Sequence, residues 1–327
     1  MKAVMIVPSP QGGQIGVQEL PDPKPAATEV LVRVHAAGLN RGEISIRKSL
    51  KSGKPQQNGI ELAGEVIALG SDAAALNTGI KVGDRVMGHW RGGQAELATI
   101  DPRLLVKIPD RLSFIEAAAW LNVFVTSHDA MVTNAGLKRG ESVLINAASS
   151  GIGVASLQIA RWIGAKPVIG SSRTPSKLPV LKPYGLEIGI DASLATWPEA
   201  VLEATGGNGV DVVIDSVGAD VLGGNLRCMG VRGRLVSVGR LGAQRGEIDL
   251  DRVAAQRLKI IGVTFRTRTL EERIACVQRV AADLLEPLSR GEINPVVDRT
   301  FPMEEIARAH DHMETNSHIG KLVLTMR

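Results

Sequence analysis

Aromatic side chains are scarce. Phe, Trp and Tyr make up 3% of the chain, and the one tyrosine is Tyr184. Proteins that hold single-stranded nucleic acid usually interleave aromatics with a basic stripe, because bases stack on rings while phosphates need cations. Here 38 basic residues stand against 34 acidic ones, a formal charge of +4, and the basic residues are scattered. No nucleic-acid partner is expected. Cysteine is nearly absent too: Cys228 and Cys276 are the two in the chain. Two distant thiols cannot build a disulfide framework or a multi-thiolate zinc site. A reducing, cytoplasmic location is expected. Long apolar runs are also missing. The longest uncharged stretch, residues 142–160, contains Asn146, five Ser or Gln side chains and two glycines, and its periodicity changes midway. It reads as a buried strand running into a helix and not as a membrane span. Residues 1–8 read as a strand without signal-peptide anatomy.

What is present points to two folded bodies. At roughly 100–200 residues per domain, 327 residues make two, each able to bury a core. The first 110 residues read as short strands between turns, with strands over 30–34 and 64–70 and a third entered from Gly83-Asp84. This is the pattern of a mainly antiparallel β domain. At Ser113-Phe114-Ile115-Glu116 a capping box starts an apolar helical region that breaks near Asn122 and stops at Gly136. Strands and helices then alternate. Strands are expected over 142–147, 167–170, 186–190, 210–215, 234–239 and 259–265, with a helix over 154–163 between the first two. Six strands with intervening helices predict an α/β fold built on a Rossmann-type, doubly wound parallel sheet. The expected domain bounds are 1–121 and 122–265. Residues 266–327, with a helix over 270–288 and a strand over 321–325, are expected to return to the first domain.

The first strand enters its helix through Asn146-Ala147-Ala148-Ser149-Ser150-Gly151-Ile152-Gly153. Small residues there let backbone approach a pyrophosphate, and the helix N-terminus supplies free N–H groups with partial positive charge. Against the pattern G-x-G-x-x-G the chain offers Ala148, Ser150 and Gly153. A tight turn without a ligand uses the same residues; the strand before, the helix after and the further strands favour a dinucleotide. Residues 149–153, namely Ser149, Ser150, Gly151, Ile152 and Gly153, are the candidate phosphate contacts. The second strand ends in Gly170-Ser171-Ser172-Arg173-Thr174 with Lys177 following, and no acid stands where an NAD enzyme holds the ribose hydroxyls. Hydroxyl, guanidinium and ammonium attract a 2′-phosphate. Ser172, Arg173 and Lys177 therefore predict NADPH, although a solvated loop would also carry them. The ends of the fourth and fifth strands add Ser216, Val217, Val238, Gly239 and Arg240, with core packing a rival role for the two valines.

Six segments stand in order along the chain: Ala36-Ala37-Gly38-Leu39-Asn40-Arg41, Gly59-Ile60-Glu61-Leu62-Ala63-Gly64-Glu65-Val66, Gly83-Asp84-Arg85-Val86-Met87-Gly88, residues 147–158, Val212-Val213-Ile214-Asp215-Ser216-Val217-Gly218 and His318-Ile319-Gly320-Lys321-Leu322-Val323-Leu324. Through these the chain resembles, along essentially its whole length, the zinc-free quinone oxidoreductase branch of the medium-chain dehydrogenase/reductase superfamily. The resemblance implies a GroES-like catalytic domain interrupted by the Rossmann domain, with catalysis in the cleft between them. It puts Asn40 near the first metal-ligand position of the zinc enzymes and Ile60 where their motif has histidine, so no metal is expected. It implies that Asn40 and Thr126 are the catalytic pair, the first polarising a substrate carbonyl and the second holding the cofactor carboxamide. An Asn closing a turn and a Thr capping helical backbone are the structural alternatives. Phe265 is implied near the nicotinamide, and Lys321 of the terminal motif is counted with the cofactor contacts.

The activity so implied is NADPH-dependent reduction of a small quinone or α,β-unsaturated carbonyl compound. Reduction of a 2-enoyl thioester, or cofactor binding with little turnover, are the alternatives. Relatives carry a tyrosine a few residues after Asn-Arg, and this chain has none there, which leaves the proton donor open. The apolar segment 259–265 would leave a sheet edge open unless a second chain covers it, so a homodimer is expected.

Overall fold

Parallel strands are covered on both faces, so they are written as continuous apolar runs and not as alternating ones. Val143–Ile145 and Val210–Asp215 are such runs, and all but Asp211 of their residues are buried. In the computed structural model, which describes residues 1–326, they lie side by side at the centre of a six-stranded sheet. Its order is Ile188–Asp191, Val168–Ser172, Val143–Ile145, Val210–Asp215, Met229–Ser237 and Lys259–Gly262, all pairs parallel. The chain moves outward twice from Val143–Ile145, which makes the sheet doubly wound. Its switch point, where such sheets bind ligands, falls between that strand and Val210–Asp215. Leu144, Ile169, Val213, Leu226 and Leu235 share one buried cluster beneath it. Burying each such side chain contributes roughly 1.5–3 kcal/mol.

This sheet belongs to one of two units, Val123–Arg268; the other comprises Met1–Asn122 and Thr269–Arg327. Several boundaries in the sheet unit differ from expectation, among them the fifth strand, which begins at Met229 and ends at Ser237. The helix expected from residue 154 spans Gly151–Ile163, because Ser150 is its N-cap and accepts from the Gly153 N–H at 3.0 Å. The last strand stops at Gly262, so Phe265 lies beyond it.

The other unit is mainly antiparallel. Its larger sheet runs Val297–Pro302, Lys321–Thr325, Val30–Gly38, Leu62–Leu69, Arg85–Gly88 and Leu105–Lys107, with Leu97–Ile100 also paired to Val30–Gly38. Lys2–Val7 pairs with Gln14–Glu19 and with Gln56–Gln57 in a smaller one. The end of the chain completes the larger sheet, with Val323 opposite Gly38 and Thr325 opposite Ala36. Val4, Leu39, Phe301, Ile306 and Leu324 form its buried core. The capping box at Ser113 is present, its side chain accepting from the Glu116 N–H. Strand Val297–Pro302 and helix Arg41–Ser49 did not stand out in the sequence. Only Phe301 of the first and Glu43 and Ile44 of the second are buried, too few to set a period.

Candidate functional site

In the sheet unit the glycine turn leaves Val143–Ile145 through Asn146, which is 2% exposed. Ala147 adopts a left-handed φ of 52°. Gly153 is required by close approach: a Cβ there would stand 2.5 Å from both the Ala147 and Ala148 carbonyl oxygens. The helix start is thus drawn onto the turn, and its amides face the carboxyl ends of the strands. Beneath the turn lies a buried polar layer. Ser171 Oγ donates to Asn146 Oδ1 at 2.8 Å, and Asn146 Nδ2 donates to Asn225 Oδ1 at 2.7 Å. The Asp215 carboxylate accepts from the Val217 and Gly218 N–H groups and shapes that loop. Burial pushes the Asp215 pKa up to about 6, with these backbone donors and Asn146 pulling the other way. Next to it, Ser216 Oγ is buried and has no hydrogen-bond partner among the described residues. An unsatisfied buried hydroxyl at the strand ends fits a site that receives a polar ligand.

At the end of Val168–Ser172 the side chain of Ser172 is buried, accepting from the Thr174 N–H and donating to the Thr174 carbonyl at 3.1 Å. Arg173 is exposed and Lys177 partly so. The carboxylate nearest in register is Asp191, opposite Ser172 on the neighbouring strand. It accepts from the Ser193 hydroxyl and N–H, which hold its pKa below the ordinary value. Val238 and Gly239 both donate backbone N–H groups to the Asp215 carbonyl, which folds the end of the fifth strand onto that of the fourth. Arg240 is exposed. Phe265 lies under the Arg268 guanidinium, 4.7 Å from ring centroid to Cζ. Thr126 is partly exposed on helix Leu121–His128.

The other unit holds a second constellation, built on charge. Asn40 caps helix Arg41–Ser49 by position, with no side-chain cap bond. Its Oδ1 accepts from Lys321 Nζ and from Asn122 Nδ2, each at 2.7 Å. Its Nδ2 donates to Glu61 Oε1 at 2.9 Å and lies 3.4 Å from Glu43 Oε1 and from the Gly38 carbonyl. Lys321 is 4% exposed and Glu61 fully buried; they pair at 2.7 Å. Gly38 makes room for the carboxylate, since a Cβ there would meet Glu61 Oε1 at 2.3 Å. Asn122 Oδ1 meets His89 Nε2 at 2.9 Å. Burial lowers the His89 pKa to about 4, so the ring is neutral near pH 7. Burial raises the Glu43 pKa to about 7, with Lys321 opposing.

Lys321, expected among the cofactor contacts, has three oxygen partners for its ammonium within this unit: Glu61 Oε1, Asn40 Oδ1 and the Leu39 carbonyl. Those bonds take up its three donors. Glu61, Asn122, His89 and Glu43 were not singled out as site residues. A signal existed for Glu61, a charge inside the apolar run Ile60-Glu61-Leu62-Ala63. None marked the rest, whose partners lie far away in sequence. Among the described residues no group of three or more His, Cys, Asp and Glu could hold a metal ion. No helix there is long and apolar enough to cross a membrane. A cavity of about 520 Å³ near Arg33, His35 and Glu96 contains none of these site residues.

Two family models match the chain: an alcohol dehydrogenase GroES-like domain over residues 26–110 and a zinc-binding dehydrogenase over residues 188–324. Human quinone oxidoreductase is 32% identical over 312 residues, covering 93% of this chain and 91% of that protein. A mycobacterial protein complexed with NADPH superposes with a TM-score of 0.89 at 28% identity, over 99% of this chain and all of that one. The CurK enoyl reductase does so with a TM-score of 0.84 at 25% identity, over 99% of each chain.

Proposed function

Because the chain belongs to the quinone oxidoreductase branch of the medium-chain dehydrogenase/reductase superfamily, we propose that it binds NADPH and reduces quinones or α,β-unsaturated carbonyl compounds without zinc. Bound NADPH would supply a hydride to the conjugated position of the acceptor. The chain's own part is to bind, orient and polarise.

The observation that carries this reading is the end of strand Val168–Ser172. Ser172, Arg173 and Lys177 follow one another there, and the nearest carboxylate in register, Asp191, is engaged by Ser193. Hydroxyl and cationic groups favour a 2′-phosphate, which a free carboxylate would repel. Residues 149–153 offer helix N-terminal amides to the pyrophosphate. Ser216 offers a hydroxyl without a partner among the described residues, Val217, Val238, Gly239 and Arg240 follow the fourth and fifth strands, and Phe265 lies three residues past the sixth. In the first unit Asn40 commits one N–H to Glu61 and has only 3.4 Å contacts for the other. That second N–H is suited to a substrate carbonyl on which negative charge develops. Thr126 would steady the carboxamide. The case against zinc rests on donor chemistry, since Asn40 and Ile60 replace ligating side chains and Asn40 Oδ1 already receives an ammonium.

A panel of 1,2- and 1,4-quinones, enones and 2-enoyl thioesters, followed by loss of reduced-nicotinamide absorbance with NADPH and with NADH, tests the reading. Turnover of quinones or enones with NADPH is expected. Tight NADPH binding with no turnover of any acceptor would refute it. Similarity to the CurK enoyl reductase favours 2-enoyl thioesters as a second reading, and thioester turnover in excess of quinone turnover would select it. The edge strand Lys259–Gly262, with Ile260 44% exposed, suits pairing with the same strand of a second copy. A monomeric mass by light scattering at micromolar concentration would count against that pairing.

A further inference from the structure

The orientation of a side-chain amide is ordinarily fixed only by its surroundings, since its oxygen and nitrogen are nearly the same size. Around Asn40 the surroundings are ionic. Lys321 Nζ donates to Asn40 Oδ1 and to Glu61 Oε1, each at 2.7 Å. Asn40 Nδ2 closes the triangle by donating to the same Glu61 oxygen at 2.9 Å. Turning the amide over would set its oxygen against a carboxylate and its NH₂ against an ammonium. Two attractions would become two repulsions, in a site where Glu61 is fully buried and Lys321 4% exposed.

The constraint passes along the chain. With Asn40 Oδ1 fixed, Asn122 must present Nδ2 to it, as it does at 2.7 Å. Asn122 Oδ1 is then turned to His89, and the ring nitrogen 2.9 Å away must carry a proton. We infer that the Glu61–Lys321 ion pair sets the direction of a hydrogen-bond chain through Asn40 and Asn122 to His89, so that Asn40 always turns an N–H, never its oxygen, toward a substrate carbonyl. Lys321 and Glu61 are positioning residues; Asn40 is the group that touches the substrate. The substrate half of this inference rests on the quinone or enone reading, whereas the direction of the chain does not.

The test replaces both charges together, Lys321→Gln with Glu61→Gln, so that no buried charge is left unpaired and hydrogen-bonding capacity remains. Ring ¹⁵N spectra of His89, assigned by the signal's loss in His89→Gln, should report a proton on Nε2 alone in the native chain. A mixture of tautomers is expected in the double variant. With a quinone and NADPH, kcat should fall about 10-fold or more, while NADPH Kd and thermal midpoint stay near native values. In an Asn40→Ala background the two replacements should have no further effect on kcat. Asn40→Ala alone should also release the His89 tautomer, and this keeps the test open if the double variant folds poorly. A single unchanged His89 tautomer in either variant overturns the inference. So does a loss of NADPH affinity in step with kcat, which would return Lys321 to the cofactor. If the native chain turns over no acceptor, the enzymatic reading fails by itself, and the His89 signal still decides the direction of the chain.

Discussion

The two units bury polar side chains by opposite means. In the first, Glu43, Glu61, Lys321, Asn40, Asn122 and His89 form a network held by ions, in which every donor of the ammonium is matched. Under the glycine turn of the second, the layer is Asn146, Ser171, Asn225 and Ser216 with a single carboxyl, Asp215, and two of its atoms, Ser216 Oγ and Asn225 Nδ2, have no hydrogen-bond partner among the described residues. A network pinned by a fully matched ammonium resists rearrangement and suits groups that must hold one pose. An open, mostly neutral layer has capacity left over, which suits a region completed by something that arrives.

Four experiments bear on that contrast. Lys321→Ala should be the most damaging, because it strands the buried Glu61 charge; a loss of about 3–5 kcal/mol by urea unfolding is expected. A loss below about 1 kcal/mol, the level of an exposed pair, would remove the distinction between the units.

The second concerns pH. The Glu43 carboxyl has a pKa near 4.5 when exposed and about 7 when folded. Between those values the folded chain retains a proton that the unfolded chain has lost, so stability falls as pH rises through that window. Relative to Glu43→Gln, the native protein should lose on the order of 3 kcal/mol across it, read from denaturant midpoints. His89, lowered to about 4, acts in the opposite sense and costs stability as pH falls below its exposed value of 6.5. A parallel pair of curves for native and Glu43→Gln would show that Glu43 is ionised in the network throughout.

The third and fourth probe the open layer and its rim. Arg173→Ala should weaken NADPH by roughly 1.5–3 kcal/mol, the scale of a hydrogen bond to a charged group, and leave NADH almost unaffected. Equal losses in calorimetric titration would detach Arg173 from the phosphate. The smallest effect, and opposite in sign, is expected for Ser216→Ala. Removing a hydroxyl that has no partner should raise stability by up to about 1 kcal/mol while weakening the cofactor. A net loss of stability would mean that the hydroxyl is satisfied in solution.

The same contrast explains what could be read before any coordinates. Local signals were legible because they are written within a few residues: the capping box at Ser113 and the strand Val210–Asp215. The glycine turn could be located for the same reason, although Ser150 as N-cap moved the helix start forward by three residues. The ionic network was largely illegible. Lys321 and Glu61 are 260 positions apart, and nothing local tells a lysine in a terminal strand that its partner is a carboxylate rather than a phosphate. Asn122 reads as a helix break, yet its side chain and N–H serve Asn40 and Glu61. Such roles come from closure of the sheet, which propensity does not encode.

That closure has a consequence for synthesis. A ribosome must deliver the whole of Val123–Arg268 before Lys321–Thr325 exists to lie beside Val30–Gly38. The inserted body can fold early, but its host is left with an unfinished β edge and a carboxylate awaiting its counterion. A chain stopped before residue 321 therefore lacks the Lys321 contact that holds Asn40. Strand Lys321–Thr325, made after the inserted body, acts as the latch on Val30–Gly38.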